Sequence, residues 1–218
     1  MALRAVAFDL DYTLAVPNRD RATLLAEARE QVGAPPITRE QYLQAHDADL
    51  ASETRVPIFE SLLEGSERTT PERLAEAYRT AVEDALVPVP GAEALLESLR
   101  ERYRVGVLTD GPVRAQRGKL ETLGWTDLFD ATVVTGALPA GKPDQRTFSA
   151  LVRELDVESS EVVYVGDHPT FDVEGAKEAG MRAVQVHGTD RERHEYADAH
   201  LDRTELADRL PDVLSRFD

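Results

Sequence analysis

The sequence contains no cysteine. That excludes a disulfide scaffold, a thiolate-held zinc and a cysteine nucleophile together. It also lacks any run of ~18 uncharged apolar residues, so no membrane-spanning helix is expected. The N-terminal stretch reaches a carboxylate at Asp9, too early for the apolar core of a secretory signal, and a cytoplasmic location is expected. Basic residues are the minority: 25 Lys and Arg face 41 Asp and Glu in 218 residues, a net charge of −16. That balance argues against broad binding along a nucleic-acid backbone. Lysine is scarcer still, at Lys119, Lys142 and Lys177 only. Dense carboxylates with few lysines point to a protein kept soluble in strong salt, where self-repulsion is screened, and a salt-adapted host is expected. Where arginine is the default cation, a lysine in a special place calls for a reason. The remaining composition, 42% hydrophobic, suffices for one ordinary core, or a core with a small appendage.

Five short apolar runs rich in β-branched residues read as strands: 5–8, 105–108, 131–134, 162–165 and 183–186. Continuous apolar runs fit strands buried on both faces, as in a parallel sheet. Helical patterns separate most of them, over 91–101, 112–123, 144–155 and 172–179, and a last helix is expected near 204–216. Pro112 opens one of these helices and Gly124 closes it, in their favoured positions. Alternating strands and helices predict a doubly wound α/β fold.

The interval between the first two strands breaks this rhythm. Residues 16–87 far exceed the ~12 residues that a crossover needs, and their patterns are all helical. Arg21 to Val32 places Leu24, Leu25, Ala28 and Val32 on one face. Thr38 and Gln41 have the spacing of a capping box. Thr70-Pro71 opens a helix that carries Leu74, Ala77, Tyr78, Ala81 and Val82 at helical period. Pro17 on one side and Val87-Pro88-Val89-Pro90 on the other read as stiff, extended hinges. The expected organisation is an α/β core of residues 1–15 and 88–218, with a helical domain inserted at 16–87.

In open α/β sheets, ligands bind beyond the carboxyl ends of the strands. Those ends carry Asp9 and Asp11, then Thr109 and Asp110, then Lys142, then Gly166-Asp167 with Asp172 beyond. Carboxylates gathered at one edge need a cation, because each raises the proton affinity of the others. Lys142 supplies one charge, and all-oxygen surroundings suit a hard divalent ion, Mg²⁺ above all. A metal, a lysine, a hydroxyl and a spare carboxylate together suit a phosphate ester, with one aspartate left to attack phosphorus.

The motifs Asp9-x-Asp11-x-Thr13, Thr109, Lys142 and Gly166-Asp167-x4-Asp172, in that order and each at a strand end, resemble the haloacid dehalogenase superfamily in its phosphatase branch. The insertion after the first motif is similar to that superfamily's C1-type cap. The resemblance covers nearly the whole chain and implies a Rossmann-like core with an all-helical cap. It implies that Asp9 is the nucleophile that forms an aspartyl-phosphate, and that Asp11 is the acid and base for the leaving alcohol and the incoming water. It implies that Thr109 and Lys142 hold the phosphoryl group, that Mg²⁺ is bound by Asp9, the backbone carbonyl of Asp11 and Asp167, and that Asp172 orients Lys142 or a metal-bound water. The dehalogenases proper lack a carboxylate at the position of Asp11, since halide leaves without a proton. The implied function is a Mg²⁺-dependent phosphatase acting on a small phosphate monoester such as a sugar phosphate, phosphoglycolate or a nucleotide. A phosphomutase of the same chemistry, or a phosphate-binding protein that keeps the fold without turnover, stands as the alternative. Three positions depart from the usual pattern: Tyr12 where glycine is commonest, Asp110 where asparagine is frequent, and His168 where serine is common.

Plainer readings exist for each position. Asp9 and Asp11 also fit a polar turn at a strand end, and Thr109 a structural hydroxyl. Lys142 also fits an exposed lysine at a helix start, and Asp167 and Asp172 fit acids favoured there by the macrodipole. Asp110 also fits a cap for the helix that follows it. The other histidines, 46, 187, 194 and 200, show no metal-ligand spacing. The arginines of the insertion (Arg21, Arg39, Arg55, Arg68, Arg73, Arg79) read as mostly a solvated helical face, with room for one of them to reach substrate, and its acidic surface favours compact substrates over polyanions. Gly136 to Lys142 has the spacing of a Walker A loop, but Pro143 stands where a metal-holding hydroxyl is needed. Oligomeric state is not legible.

Overall fold

The computed structural model describes residues 2–48, 52–63, 69–188 and 192–218. Six parallel strands form the main sheet: β1 (Ala5–Phe8), β4 (Arg104–Thr109), β5 (Ala131–Val134), β6 (Val162–Gly166), β7 (Arg182–His187) and β8 (Ala199–Asp202). Their order across the sheet is β5-β4-β1-β6-β7-β8, so β1 lies between β4 and β6 and the winding reverses beside it. All four residues of β1 are buried, as a strand covered on both faces requires.

Alternation along β1 divides the core in two. Val6 and Phe8 pack with Leu95, Leu96 and Leu120, from helices α5 (Ala92–Arg100) and α6 (Val113–Leu123), and with Leu210 from α9 (Leu206–Leu214). Ala5 and Ala7 face Phe148, Leu151 and Leu155 of α7 (Gln145–Leu155) and Ala176 of α8 (Gly175–Glu178). Period-2 side chains between helical layers are what make the fold doubly wound.

Among the described residues, four helices lie between β1 and α5: α1 (Arg21–Val32), α2 (Arg39–Ala48), α3 (Val56–Leu62) and α4 (Pro71–Asp84). They share a buried cluster of their own that includes Leu24, Leu25, Phe59, Leu74, Tyr78 and Val82. Asp20 caps α1 through bonds from the Ala22 and Thr23 amides, and Gly33 ends it at φ 70°. Thr38 and Gln41 form the reciprocal box at the head of α2, each side chain accepting from the other's amide at 3.1 and 2.8 Å.

The structure departs from the sequence expectations at identifiable places. The proline-rich hinges pair with each other, as antiparallel strands β2 (Ala15–Pro17) and β3 (Leu86–Pro88), which satisfies their backbone groups where the chain leaves and re-enters the core. Strand β8 was not expected: it is an edge strand with the mixed pattern Ala-His-Leu-Asp, and only Leu201 is buried. The helix expected over 172–179 is a π-helical turn at Pro169–Glu174 followed by the short α8. Among the described residues, no helix is long and apolar enough to cross a membrane.

Candidate active site

Strands β1, β4 and β6 are parallel neighbours, so their carboxyl ends open on one edge. Asp9 follows β1 directly, and its amide donates to Val165 O of β6 at 2.9 Å. The chain then turns tightly, with Leu10 O accepting from the amides of Leu14 and Ala15. Tyr12 sits in this turn at φ 62°, the left-handed conformation that explains why glycine suits the position.

Lys142 arrives from the loop after β5 and is 7% exposed. Its Nζ donates to Asp9 at 2.8 Å, to Asp172 at 2.6 Å and to the Tyr164 hydroxyl at 3.3 Å. Burial alone pushes the Lys142 ammonium down, but Asp172 and Asp9 outweigh it and hold the pKa well above the ordinary lysine value. Burial pushes the Asp9 carboxyl well up; Lys142 opposes this, and Asp172 and Asp167 add to it. Asp9, Asp167 and Asp172 each offer a carboxylate oxygen, all within 4.8 Å of one another and all buried. Three buried oxygens with a single ammonium among them fit a hard divalent cation such as Mg²⁺. Asp172 can approach this closely because residue 166 is glycine, and a Cβ there would collide with the Asp172 carboxyl.

The side chain of Asp11 points elsewhere. It forms ion pairs with Arg21 of α1 at 2.7 Å and with Lys119 of α6, and it accepts from Gln116 at 3.0 Å. Burial raises the proton affinity of Asp11, but Lys119 and Arg21 outweigh it and hold the carboxyl far below the ordinary range. Lys119 is pushed down to about 8, chiefly by burial; Asp11 opposes this, and Arg21 and Arg55 add to it. Thr109 is fully buried, and its hydroxyl accepts from Gln116.

One cavity of about 480 Å³ gathers all six residues singled out from the sequence, Asp9, Asp11, Thr109, Lys142, Asp167 and Asp172. Two plainer readings, Asp110 as a helix cap and Lys142 as an exposed lysine, do not match the structure. Asp110 does not cap α6: its carboxylate accepts from the Lys142 amide at 3.0 Å and fastens that loop, while the helix amides of Val113 and Arg114 donate to Ser52 O and Glu53 O of the helical insert. The His168 ring accepts from the amides of Thr170 and Phe171 and stacks on Phe171 with centroids 4.0 Å apart. Lys142 holds Asp9 rather than standing at an exposed helix start. Of the insert's arginines, expected to be mostly a solvated face, Arg21, Arg39 and Arg55 line the cavity. Arg73 is exposed and Arg79 pairs with Glu76 and Glu83, while Arg68 lies outside the described residues.

Sequence reasoning missed Gln116 and Lys119 as parts of this cavity. A signal was available. Two of the three lysines are buried here, and Lys119 falls three residues after Gln116 on the face of α6 that also buries Val113 and Leu120.

Comparison with known proteins agrees with this geometry. The family described as haloacid dehalogenase-like hydrolase matches residues 6–186. A phosphoglycolate phosphatase of Cereibacter sphaeroides is 32% identical over 97% of this chain and 98% of its own length. A HAD phosphatase from Thermococcus onnurineus superposes with a TM-score of 0.72 at 28% identity, over 97% of this chain and 98% of that one. A 2-haloacid dehalogenase from Pseudomonas syringae pv. Tomato DC3000 superposes at 0.76 and 26% identity, over 99% of this chain and 100% of that one. With sequence, fold and strand-end carboxylates in agreement over nearly its whole length, the chain belongs to the haloacid dehalogenase-like hydrolases.

Proposed function

We propose that this hydrolase is a Mg²⁺-dependent phosphoric monoester hydrolase that works through an aspartyl-phosphate on Asp9. The observation that carries the reading is the pairing of two carboxylates with separate surroundings. Asp9 lies among the metal-type oxygens and Lys142, while Asp11 faces the same cavity among Lys119, Arg21 and Gln116. Two carboxylates that open on one cavity among different neighbours can divide nucleophilic attack and proton transfer at one phosphorus between them.

A magnesium ion held by Asp9, Asp167 and the backbone carbonyl of Asp11 would neutralise charge on the phosphoryl oxygens. Lys142 and Thr109 hold the phosphoryl group and leave an Asp9 oxygen directed at phosphorus. A bond forms between that oxygen and phosphorus as the ester P–O bond breaks, and the departing alkoxide takes a proton from Asp11. Water then attacks the aspartyl-phosphate, Asp11 takes its proton, and Asp9 is released with inorganic phosphate. Without substrate, Asp11 is held as a carboxylate. A phosphate dianion beside it competes for Lys119 and Arg21 and raises its proton affinity, which supplies the acid the first step needs. The helical insert acts as a cap that excludes water during that step.

The presence of Asp11 favours phosphoryl transfer over dehalogenation, because an alkoxide needs a proton and halide does not. The substrate of this reading is a small phosphate monoester. Phosphate release from an aryl phosphate, measured with Mg²⁺ and with EDTA, beside the Asp9→Asn variant, tests the proposal. Turnover that needs the metal and falls at least about 10³-fold in the variant is expected. Metal-independent turnover, or an active variant, defeats it. Phosphoryl transfer to a sugar hydroxyl without phosphate release would instead identify a phosphomutase.

A further inference from the structure

The edge strand β8 brings an arginine to the turn that carries Asp11. It pairs in parallel with β7, with His187 opposite Asp202, so the chain leaves β8 at the same sheet edge as it leaves β1. Asp202 then accepts from the Thr204 amide at 2.8 Å and from its hydroxyl at 2.6 Å, which bends the chain into a single 3₁₀ turn at Arg203–Glu205. The Arg203 side chain runs back across the end of β7. It lies against the backbone of Gly188, where a Cβ would stand 2.7 and 2.9 Å from the two terminal guanidinium nitrogens.

Its destination is Tyr12. Arg203 Nε donates to Tyr12 O at 2.6 Å, and the guanidinium lies 5.9 Å from the centroid of the Tyr12 ring. A bond from a guanidinium is charge-assisted and stronger than one between neutral groups. The Tyr12 amide donates to Ala15 O at 2.8 Å. Tyr12 is thus fixed at its amide by the turn itself and at its carbonyl by a residue from near the other end of the chain.

Such fixing has a reason. At φ 62°, Tyr12 holds a left-handed conformation that is unfavourable for a residue with a Cβ and persists only where the surroundings impose it. Rotation of Tyr12 out of that conformation would swing the peptide units on either side of it, and Asp11 with them. Tyr12 and Asp11 line the cavity, whereas Arg203 is not among the lining residues and acts on it only through Tyr12.

We propose that Arg203 is a positioning residue: by holding the Tyr12 carbonyl it keeps the 10–15 turn in its left-handed form, and so keeps Asp11 aimed at the leaving-group oxygen. The inference rests on the active-site reading above and adds to it a residue from beyond the last strand. Proton transfer in the transition state depends on such aim, since a displacement of about 1 Å can cost about 10²-fold in rate.

The test reads the turn directly and through its chemistry. Amide hydrogen exchange followed by mass spectrometry reports on Tyr12, Leu14 and Ala15, whose amides bond within the turn. In Arg203→Met they should exchange about 10-fold faster or more, while the amides of β4 and β6 keep their rates. The same variant should lose about 10- to 100-fold in kcat/KM on ethyl phosphate but less than about threefold on p-nitrophenyl phosphate, because only the first leaving group needs the proton from Asp11. In a Tyr12→Gly background both effects of Arg203→Met should shrink, because glycine adopts this φ without strain. Arg203→Gln takes its place if Arg203→Met does not fold. Unchanged exchange in the turn, equal losses on the two esters, or effects undiminished in the Tyr12→Gly background overturn the proposal. Exchange also separates the two claims. If the unmodified protein hydrolyses neither ester, the phosphatase reading fails, while faster exchange confined to the turn still supports Arg203 as its anchor. If both esters are hydrolysed and exchange in the variant is unchanged, this inference alone fails.

Discussion

Lys119 offers the sharpest test of the electrostatics. Its side chain is 3% exposed beside Asp11, and its pKa falls from the ordinary 10.5 to about 8 in the folded protein. Below pH 8 both folded and unfolded chains carry the ammonium, and the folded state bears the full cost of burying it. Between about pH 8 and 10.5 the unfolded chain still binds that proton while the folded chain has released it. Unfolding then takes up a proton, so stability rises with pH across this window and levels off above it. A gap of two to three pH units corresponds to about 3 kcal/mol at most, at roughly 1.4 kcal/mol per unit. Coupling to Asp11 lowers the observable gain to about 1–3 kcal/mol. Urea unfolding of the native sequence and of Lys119→Met, at fixed ionic strength from pH 7 to 10, measures it. The difference cancels Tyr78, Tyr103 and Tyr164, which burial pushes above the ordinary tyrosine value in both proteins. The native protein should gain on the variant as pH rises past 8. A constant difference over the whole range, or one of opposite sign, would refute the argument.

Other outcomes follow from the same structure. Asp11→Asn should cost an alkyl phosphate about 10²- to 10⁴-fold in kcat/KM, which reports the steps up to the aspartyl-phosphate, but p-nitrophenyl phosphate far less, because nitrophenolate leaves without a proton; equal losses in kcat/KM would count against Asp11 as the acid. Gly136→Ala places a Cβ 2.5 Å from Ser52 O and 2.6 Å from Gly111 O, where the helical insert meets the core. It should lower stability by about 1–3 kcal/mol in urea unfolding. If the excess of carboxylates reflects adaptation to salt, the melting temperature should climb steeply with KCl; a flat curve would remove that reading.

The parallel sheet was legible because buried strands announce themselves as unbroken β-branched runs, as in Val162-Val163-Tyr164-Val165. Strand β8 was not legible, since an edge strand needs only one buried residue, Leu201. The floor of the cavity was legible for a related reason. Topology sends every parallel strand end to the same edge, so Asp9, Thr109 and Asp167 had to meet there. Its walls and ceiling were a different matter. The one trace of Lys119 was its place on the apolar face of α6, and nothing local distinguishes Arg55 from Arg73 until the insert packs over the sheet. The amino-acid sequence thus determined, through strand burial and strand direction, which carboxylates share an edge. Only the tertiary structure decided how they are tuned, because that depends on which cations the folded chain buries beside each of them: Lys142 at Asp9, and Lys119 with Arg21 at Asp11. Charges far apart in sequence act on one another only through the distances and the low dielectric that packing creates.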